Sequence, residues 1–301
     1  MKVNLLCKND KIAIYCGSRQ LHEKDMVNYD NSCNFIKEKG FELVADDYLY
    51  SKTANYFYPA EQRAEFFNKV IKDKTIKALF SCKGGADCIA MLDYLDYKEI
   101  KKNPKIICGY SDITVLINYI NYKCKIKTFW GPNFTLLGKK EAQFCREDFI
   151  SKFINNNKSL GRETDEYKVI RKGVAFGEFV GGTISAISFL AVGKYKIDFT
   201  NKILILEEFG KKIEPLKVKS YLAFLKQNGA FDKVSGIWMG NYDNDFDYNL
   251  EDDILQLTKD KNFPIIKSNN FGHIFENMII PIGEKAYINT SNKIPITICE
   301  G

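Results

Sequence analysis

Histidine is scarce: the 301 residues contain two, His22 and His273. That excludes any metal site drawing two imidazoles from one motif, such as H-E-x-x-H. It also means that an imidazole base, if the chain uses one, is one of these two. No C-x-x-C pair occurs among the nine cysteines at 7, 16, 33, 82, 88, 108, 124, 145 and 299. Their odd number and irregular spacing describe neither a zinc site nor a disulfide framework. Cys108 and Cys124 lie inside apolar runs, where cysteine behaves as a small hydrophobe, and reduced thiols in the cytoplasm are expected. No long basic run exists: Lys101-Lys102, Lys139-Lys140 and Lys211-Lys212 are isolated pairs, and the net charge of +6 is spread through acidic neighbours. A solvated surface is expected, with no nucleic-acid partner. The longest uncharged apolar stretch, 179–193, is short for a membrane span. Residues 1–11 hold no apolar core long enough for a signal peptide, and six residues before Cys7 are too few for a lipoprotein signal. A soluble cytoplasmic protein without a membrane partner is therefore expected. With only 20 Gly and 7 Pro, and with 45% apolar and 27% charged residues, the chain is globular and not low-complexity. Its length suffices for one large domain or two of moderate size.

What is present alternates strand and helix signals. Residues 11–16 (KIAIYC), 41–45, 78–81, 105–108 and 127–130 are short apolar runs. Helical patterns at 24–39, 59–72, 87–95 and 113–121 lie between them. This rhythm predicts an α/β fold whose N-terminal domain is a doubly wound parallel sheet of the Rossmann or flavodoxin-like kind. The apolar signal weakens from 138 to 171, where Asn155-Asn156-Asn157-Lys158 reads as polar linker. The predicted organisation is 1–150 as the first domain, 151–171 as linker, and 172–301 as a mixed, β-richer C-terminal α/β domain. In that second part, strands are expected at 173–180, 202–206, 234–239, 278–281, 285–289 and 294–299, with helices at 183–190, 215–227 and 250–257.

Ligands of open parallel sheets sit beyond the carboxyl ends of the strands. Three loops fall there: Gly17-Ser18, Lys83-Gly84-Gly85 and Gly109-Tyr110-Ser111-Asp112. In the third, a strand turns into a helix with Ser at the turn, the arrangement of a nucleophile elbow. The full G-x-S-x-G pattern is absent because position 113 is Ile, and the competing reading is that Ser111 or Asp112 simply caps the following helix. His22 lies in a polar helix start, where exposure is the plain reading. His273 follows Gly272 just beyond the apolar run 263–266, where Gly permits close backbone approach to a ligand; a structural or solvated His is the alternative. Glu207 and Glu208 end the apolar strand Ile203-Leu204-Ile205-Leu206. A carboxylate there is costly unless paired, and alternation lets only one of the two point into a crevice. Solvated loop acids are the competing reading.

In order and spacing these pieces resemble the LD-carboxypeptidase and microcin-immunity family of serine peptidases, from about Lys11 to Asn289. The matching stretches are Gly84-Gly85, Gly109-Tyr110-Ser111-Asp112, Gly131-Pro132, Gly181-Gly182, Leu206-Glu207-Glu208, Gly272-His273, Asn277 and Pro281-Ile282-Gly283. The resemblance implies Ser111 as nucleophile, His273 as general base and Glu207 as its orienting partner. It implies backbone N–H groups of Gly85 and Asp112 as the oxyanion hole, and Gly84, Tyr110 and Thr183 as substrate contacts. Four departures bear on specificity. Lys83 stands where the family usually has Arg, Thr183 where it has Asn, Trp130 where it often has His, and Cys16-Gly17-Ser18 where it has Pro-Ser-Ser.

The implied reaction is amide hydrolysis through an acyl-enzyme, with no metal and no organic cofactor. In the carboxypeptidase branch the substrate is a cytoplasmic muropeptide tetrapeptide losing terminal D-alanine during cell-wall recycling. In the immunity branch it is an aminoacyl-nucleotide peptide antibiotic, whose base stacks on a Trp after the second Gly pair. Residues 183–195 contain no Trp, the two being Trp130 and Trp238, which favours the first branch. A third reading is a non-catalytic small-ligand-binding protein with Gly84-Gly85 cradling a phosphate or sugar. Arg63 and Lys83 are candidates for the substrate carboxylate, with a surface role as the alternative for each. A homodimer is what the resemblance suggests.

Overall fold

The computed structural model describes residues 4–50, 58–246 and 248–299. They divide into two compact units. The first holds the described residues up to Asn157 together with Phe275–Pro281, and the second holds Lys158–Ile274 and the described residues from Ile282 onward.

In the first unit, β1 (Lys11–Tyr15), α1 (Glu23–Glu38), β2 (Glu42–Ala45), α2 (Ala60–Lys72) and β3 (Ile76–Ser81) open the chain. A 3-10 turn over Cys88–Asp93 leads to α3 (Tyr97–Lys102), β4 (Ile106–Gly109), and a second 3-10 turn (Ser111–Ile113) that runs into α4 (Thr114–Cys124). Then come β5 (Thr128–Trp130), α5 (Phe134–Leu137) and α6 (Gln143–Phe153). The strands lie in the order β2-β1-β3-β4-β5, all parallel. That is the flavodoxin-like order, whose reversal point lies between β1 and β3. Alternation sends Ile12, Ile14, Ala78, Phe80, Ile106 and Cys108 into one core with Ile36 of α1, Phe134 of α5, and Phe149 and Phe153 of α6. On the opposite face Tyr15 meets Phe67 of α2 edge-on at 5.1 Å. Helices thus cover both faces, as the near-continuous apolar strands require. α4 is buried at Thr114 through Ile120, so it reads as a core helix and not an amphipathic one.

The second unit contains β6 (Tyr167–Arg171), β7 (Val174–Thr183), α7 (Ile184–Phe189), β8 (Lys202–Glu207), α8 (Pro215–Gln227), α9 (Ala230–Lys233), β9 (Gly236–Met239), α10 (Leu250–Leu257) and β10 (Ile265–Ser268). The eleventh strand of the chain, β11 (Ile280–Ile282), belongs to the first sheet beside β5, and β12 (Lys285–Asn289) and β13 (Ile296–Ile298) complete the second. The second sheet has the order β13-β12-β7-β8-β9-β10-β6. β7 to β10 are parallel, whereas β12, β13 and β6 each pair antiparallel. The mixed α/β class and its richer β content therefore match the sequence pattern.

Four local differences have physical causes. The pattern at 87–95 predicts a helix, but Cys88–Asp93 closes as a 3-10 turn, with α3 following. Within 151–171, read as linker, β6 pairs with β10; its charged alternation, Lys168 and Arg171 among apolar residues, marks an edge strand and hides it. α6 buries Phe144, Cys145, Asp148, Phe149 and Phe153, a helical stripe interrupted by Asp148 and flanked by Arg146, Glu147 and Lys152. The run at 278–281 forms a strand, but with the sheet of the first unit. A short apolar run states that it is buried, not against which sheet.

Candidate active site

At the carboxyl end of β4 the chain turns sharply. Tyr110 is extended (φ −135°, ψ −173°), and Ser111 then takes φ 63° before the 3-10 turn leads into α4. A non-glycine residue in the left-handed region costs free energy, so the surroundings must impose this backbone. Asn133 does so from the loop after β5: its Oδ1 accepts from the Tyr110 N–H at 3.2 Å and its Nδ2 donates to the Tyr110 carbonyl at 3.4 Å. Gly84 packs against the turn so closely that a Cβ there would lie 2.8 Å from Ser111 Cβ and 3.0 Å from its Oγ. A Cβ on Gly85 would lie 2.0 Å from Ser18 Oγ. Only glycine fits at either position, so the backbone rests directly against the Ser111 turn at Gly84 and against Ser18 at Gly85. Asp112 is buried, and its Oδ2 accepts from the Cys88 N–H at 2.8 Å. Burial raises its pKa, against the Cys88 hydrogen bond that lowers it.

In the second unit, β8 ends on Glu207, fully buried. Its Oε2 lies 2.7 Å from Nδ1 of His273, and its Oε1 accepts from Thr183 Oγ1. Thr183 and Glu207 are register partners across β7 and β8, which explains the contact. Glu208 points elsewhere: it accepts from Ser185 N–H at 2.8 Å and Phe209 N–H at 2.9 Å. Burial and the neighbouring Glu207 charge raise its pKa. His273 follows Gly272, whose φ is 135°. Its ring stacks on Phe209 at 4.7 Å with a 13° interplanar angle. Burial alone would push the imidazole pKa down, but the Glu207 charge and hydrogen bond, helped by Glu208, raise it above 6.5. With Nδ1 turned to a carboxylate, the tautomer and the ring plane are held.

Of the residues singled out from the sequence, Glu207, His273 and Thr183 come together in one buried cluster of the second unit. Ser111, Gly84, Gly85, Tyr110 and Asp112 gather in the first. Thr183, expected at the substrate, is 2% exposed and donates its hydroxyl to Glu207. Arg63, a candidate for the substrate carboxylate or for the surface, is fully buried on Asp87 at 2.6 Å. Lys83 pairs with Asp25 at 2.6 Å. His22 caps α1, its N–H donating to Asp25 Oδ2 at 3.0 Å. Asn133 and Phe209 escaped the sequence reading, and Ser18 entered it only as part of the Gly17-Ser18 strand-end loop. Asn133 follows Gly131-Pro132, so strand-end position was the available signal; Phe209 carried none. Among the described residues no three His, Cys, Asp or Glu side chains gather as a metal-binding set, and no helix is long and apolar enough to cross a membrane.

Comparison with known proteins agrees with this architecture. The chain matches the LD-carboxypeptidase N-terminal domain over residues 12–131 and the C-terminal domain over 176–288. It is 24% identical to the probable murein peptide carboxypeptidase of Bacillus subtilis, covering 98% of this chain and 93% of that protein. It is 26% identical to the microcin C7 self-immunity protein MccF of Escherichia coli, covering 96% and 93% respectively. The crystal structure of an MccF-like protein from Bacillus anthracis superposes over 100% of both chains with a TM-score of 0.87 and 27% identity. With both domain signatures present in order and most of the chain inside them, the protein belongs to the LD-carboxypeptidase family.

Proposed function

We propose that this chain is a serine carboxypeptidase that hydrolyses an L,D amide bond and releases terminal D-alanine from muropeptide tetrapeptides in the cytoplasm. The observation that carries the reading is the 2.7 Å hydrogen bond between the fully buried Glu207 and His273. A carboxylate with no exposure is stable there only with such partners, and a raised, oriented imidazole is what a serine nucleophile needs. Ser111 Oγ attacks the scissile carbonyl while His273 Nε2 takes its proton. The proton passes to the leaving amine as the C–N bond breaks, and water then hydrolyses the Ser111 ester by the same base. Glu207 keeps the proton-bearing Nδ1 in place and stabilises the imidazolium. The N–H groups of Gly85 and Asp112 receive the negative charge of the tetrahedral intermediate.

The immunity-type reading, cleavage of an aminoacyl-nucleotide antibiotic, draws support from the similarity to MccF. Against it, Trp130 and Trp238 are both fully buried, so neither offers a face to a nucleobase. Purified protein is incubated with a tetrapeptide ending in D-alanine, with its all-L isomer and with an aminoacyl sulfamoyl-adenosine, and products are followed by mass spectrometry. Release of D-alanine alone is the expected result. Cleavage of only the nucleotide analogue moves the protein to the other branch. Full activity in Ser111→Ala removes the acyl-enzyme mechanism, and binding without cleavage of any substrate favours a ligand-binding protein.

A further inference from the structure

A guanidinium in the core of the first unit is unexplained by packing. α2 buries Ala64, Phe67, Val70 and Ile71, and Arg63 lies among them with no exposure. Burying a charge this deeply costs several kcal/mol, which its ion pair alone does not reliably return. Each arm of the fork is nevertheless used. Nε donates to the Tyr58 carbonyl at 3.1 Å, Nη1 to the Gly17 carbonyl at 2.8 Å, and Nη2 to Asp87 Oδ2 at 2.6 Å. One planar group thus joins the chain entering α2, the loop after β1 and the loop after β3. The other oxygen of Asp87 accepts from Ser18 Oγ at 3.1 Å, and Ser18 Oγ itself accepts from the Ala86 N–H at 3.0 Å. Ser18 is 1% exposed and lies where a Cβ on Gly85 would collide with it. The backbone at 84–87 is therefore held on one side by the serine turn and on the other by Ser18 and Asp87, both set by Arg63.

We propose that Arg63, acting through Asp87 and Ser18, is the positioning residue that fixes the Gly84-Gly85 backbone against Ser111. The inference rests on the assignment of the Gly85 N–H to the oxyanion hole. It gives the buried fork a purpose that stability does not. A lysine keeps the charge but cannot satisfy three acceptors in one plane, so the role requires the guanidinium geometry. Donors misplaced by roughly 1 Å can lose about 100-fold in rate, and the loss falls on the transition state, hence on kcat.

The test combines amide hydrogen exchange with kinetics on Arg63→Met, Arg63→Lys and Ser18→Ala. Expected is faster exchange at residues 84–87 in all three variants, with the amides of β1 and β3 as protected as in the wild type. On the D-alanine tetrapeptide, kcat is expected to fall about 100-fold for both Arg63 variants and about tenfold for Ser18→Ala, with KM within roughly twofold. Unchanged exchange at 84–87, or faster exchange spread evenly over the unit, overturns the inference, as does unchanged kcat when the loop loosens. Ser18→Ala keeps the test decisive if an Arg63 variant does not fold. If the wild type cleaves no substrate, the peptidase reading fails by itself, and the exchange pattern alone decides whether Arg63 holds the loop.

Discussion

The first unit holds its reactive-site candidates by backbone geometry, the second by buried charge. Ser111 sits at φ 63° with glycines pressed to within Cβ-excluding distance and Asn133 clamping Tyr110 on both its amide and carbonyl. His273 instead owes its orientation and its raised pKa to Glu207, a carboxylate with no exposure, seconded by Thr183. The contrast suits the chemistry proposed for each group. A hydroxyl nucleophile changes position little and needs a fixed direction. An imidazole must gain and lose a proton, so its surroundings must tune a free energy as well as a direction. Steric positioning is insensitive to pH, whereas electrostatic positioning is not.

Four substitutions probe that contrast. Ser111→Ala is expected to lower kcat by about 10⁴- to 10⁶-fold with the melting temperature little changed, read by peptide hydrolysis and calorimetry. Glu207→Gln should lose roughly 10⁴-fold, since the ring can then settle in the wrong tautomer. In the wild type, activity rises as His273 becomes neutral, so its acid limb lies above pH 6.5. In Glu207→Gln that limb moves to lower pH because the raising charge is gone. Stability runs the opposite way with pH: a raised imidazole pKa stabilises the fold fully below about pH 6.5 and loses that contribution as pH climbs through the folded value. The stability difference between wild type and Glu207→Gln should therefore shrink on going alkaline, measured by denaturant titration across pH. Gly84→Ala should cost about 100-fold in kcat by displacing Ser111, with the shape of the pH profile unchanged. A shifted limb in that variant breaks the separation between the two modes. Thr183→Val, smallest, should lower kcat about tenfold and move the acid limb slightly, because a hydrogen bond to the Glu207 carboxylate is lost.

Much of this site was legible because it depends on local chemistry. The alternation of apolar runs and glycine loops located β1, β3 and β4 and the loops at their carboxyl ends. The scarcity of histidine narrowed the base to two positions, and the capping role of His22 separates them. Strand alternation left Glu207 and Glu208 as a pair; the family resemblance named Glu207, and the structure gives the physical reason. The deciding fact is the register of β8 beside β7, which brings Thr183 to Glu207 and aims Glu208 at the Ser185 N–H. That Thr183 meets Glu207 was hidden for the same reason. α6 was illegible because its buried stripe includes Asp148, whose Oδ2 accepts from Ile279 N–H at 2.7 Å. A buried carboxylate breaks an apolar pattern, and its partner lies far along the chain. Arg63 misled in the opposite direction, since a charged residue on a helix ordinarily faces water.

The sequence by itself determined the element rhythm, the α/β class, the strand-end loops, and the family, because these follow from periodicity, turn chemistry and motif order along one dimension. The tertiary structure alone decided which sheet takes β11, that Ser111 adopts a left-handed backbone, that Thr183 meets Glu207, and that Arg63 lies inside. Each of these depends on strand register or on desolvation by residues distant in the chain, and neither quantity is a property of a local stretch of sequence.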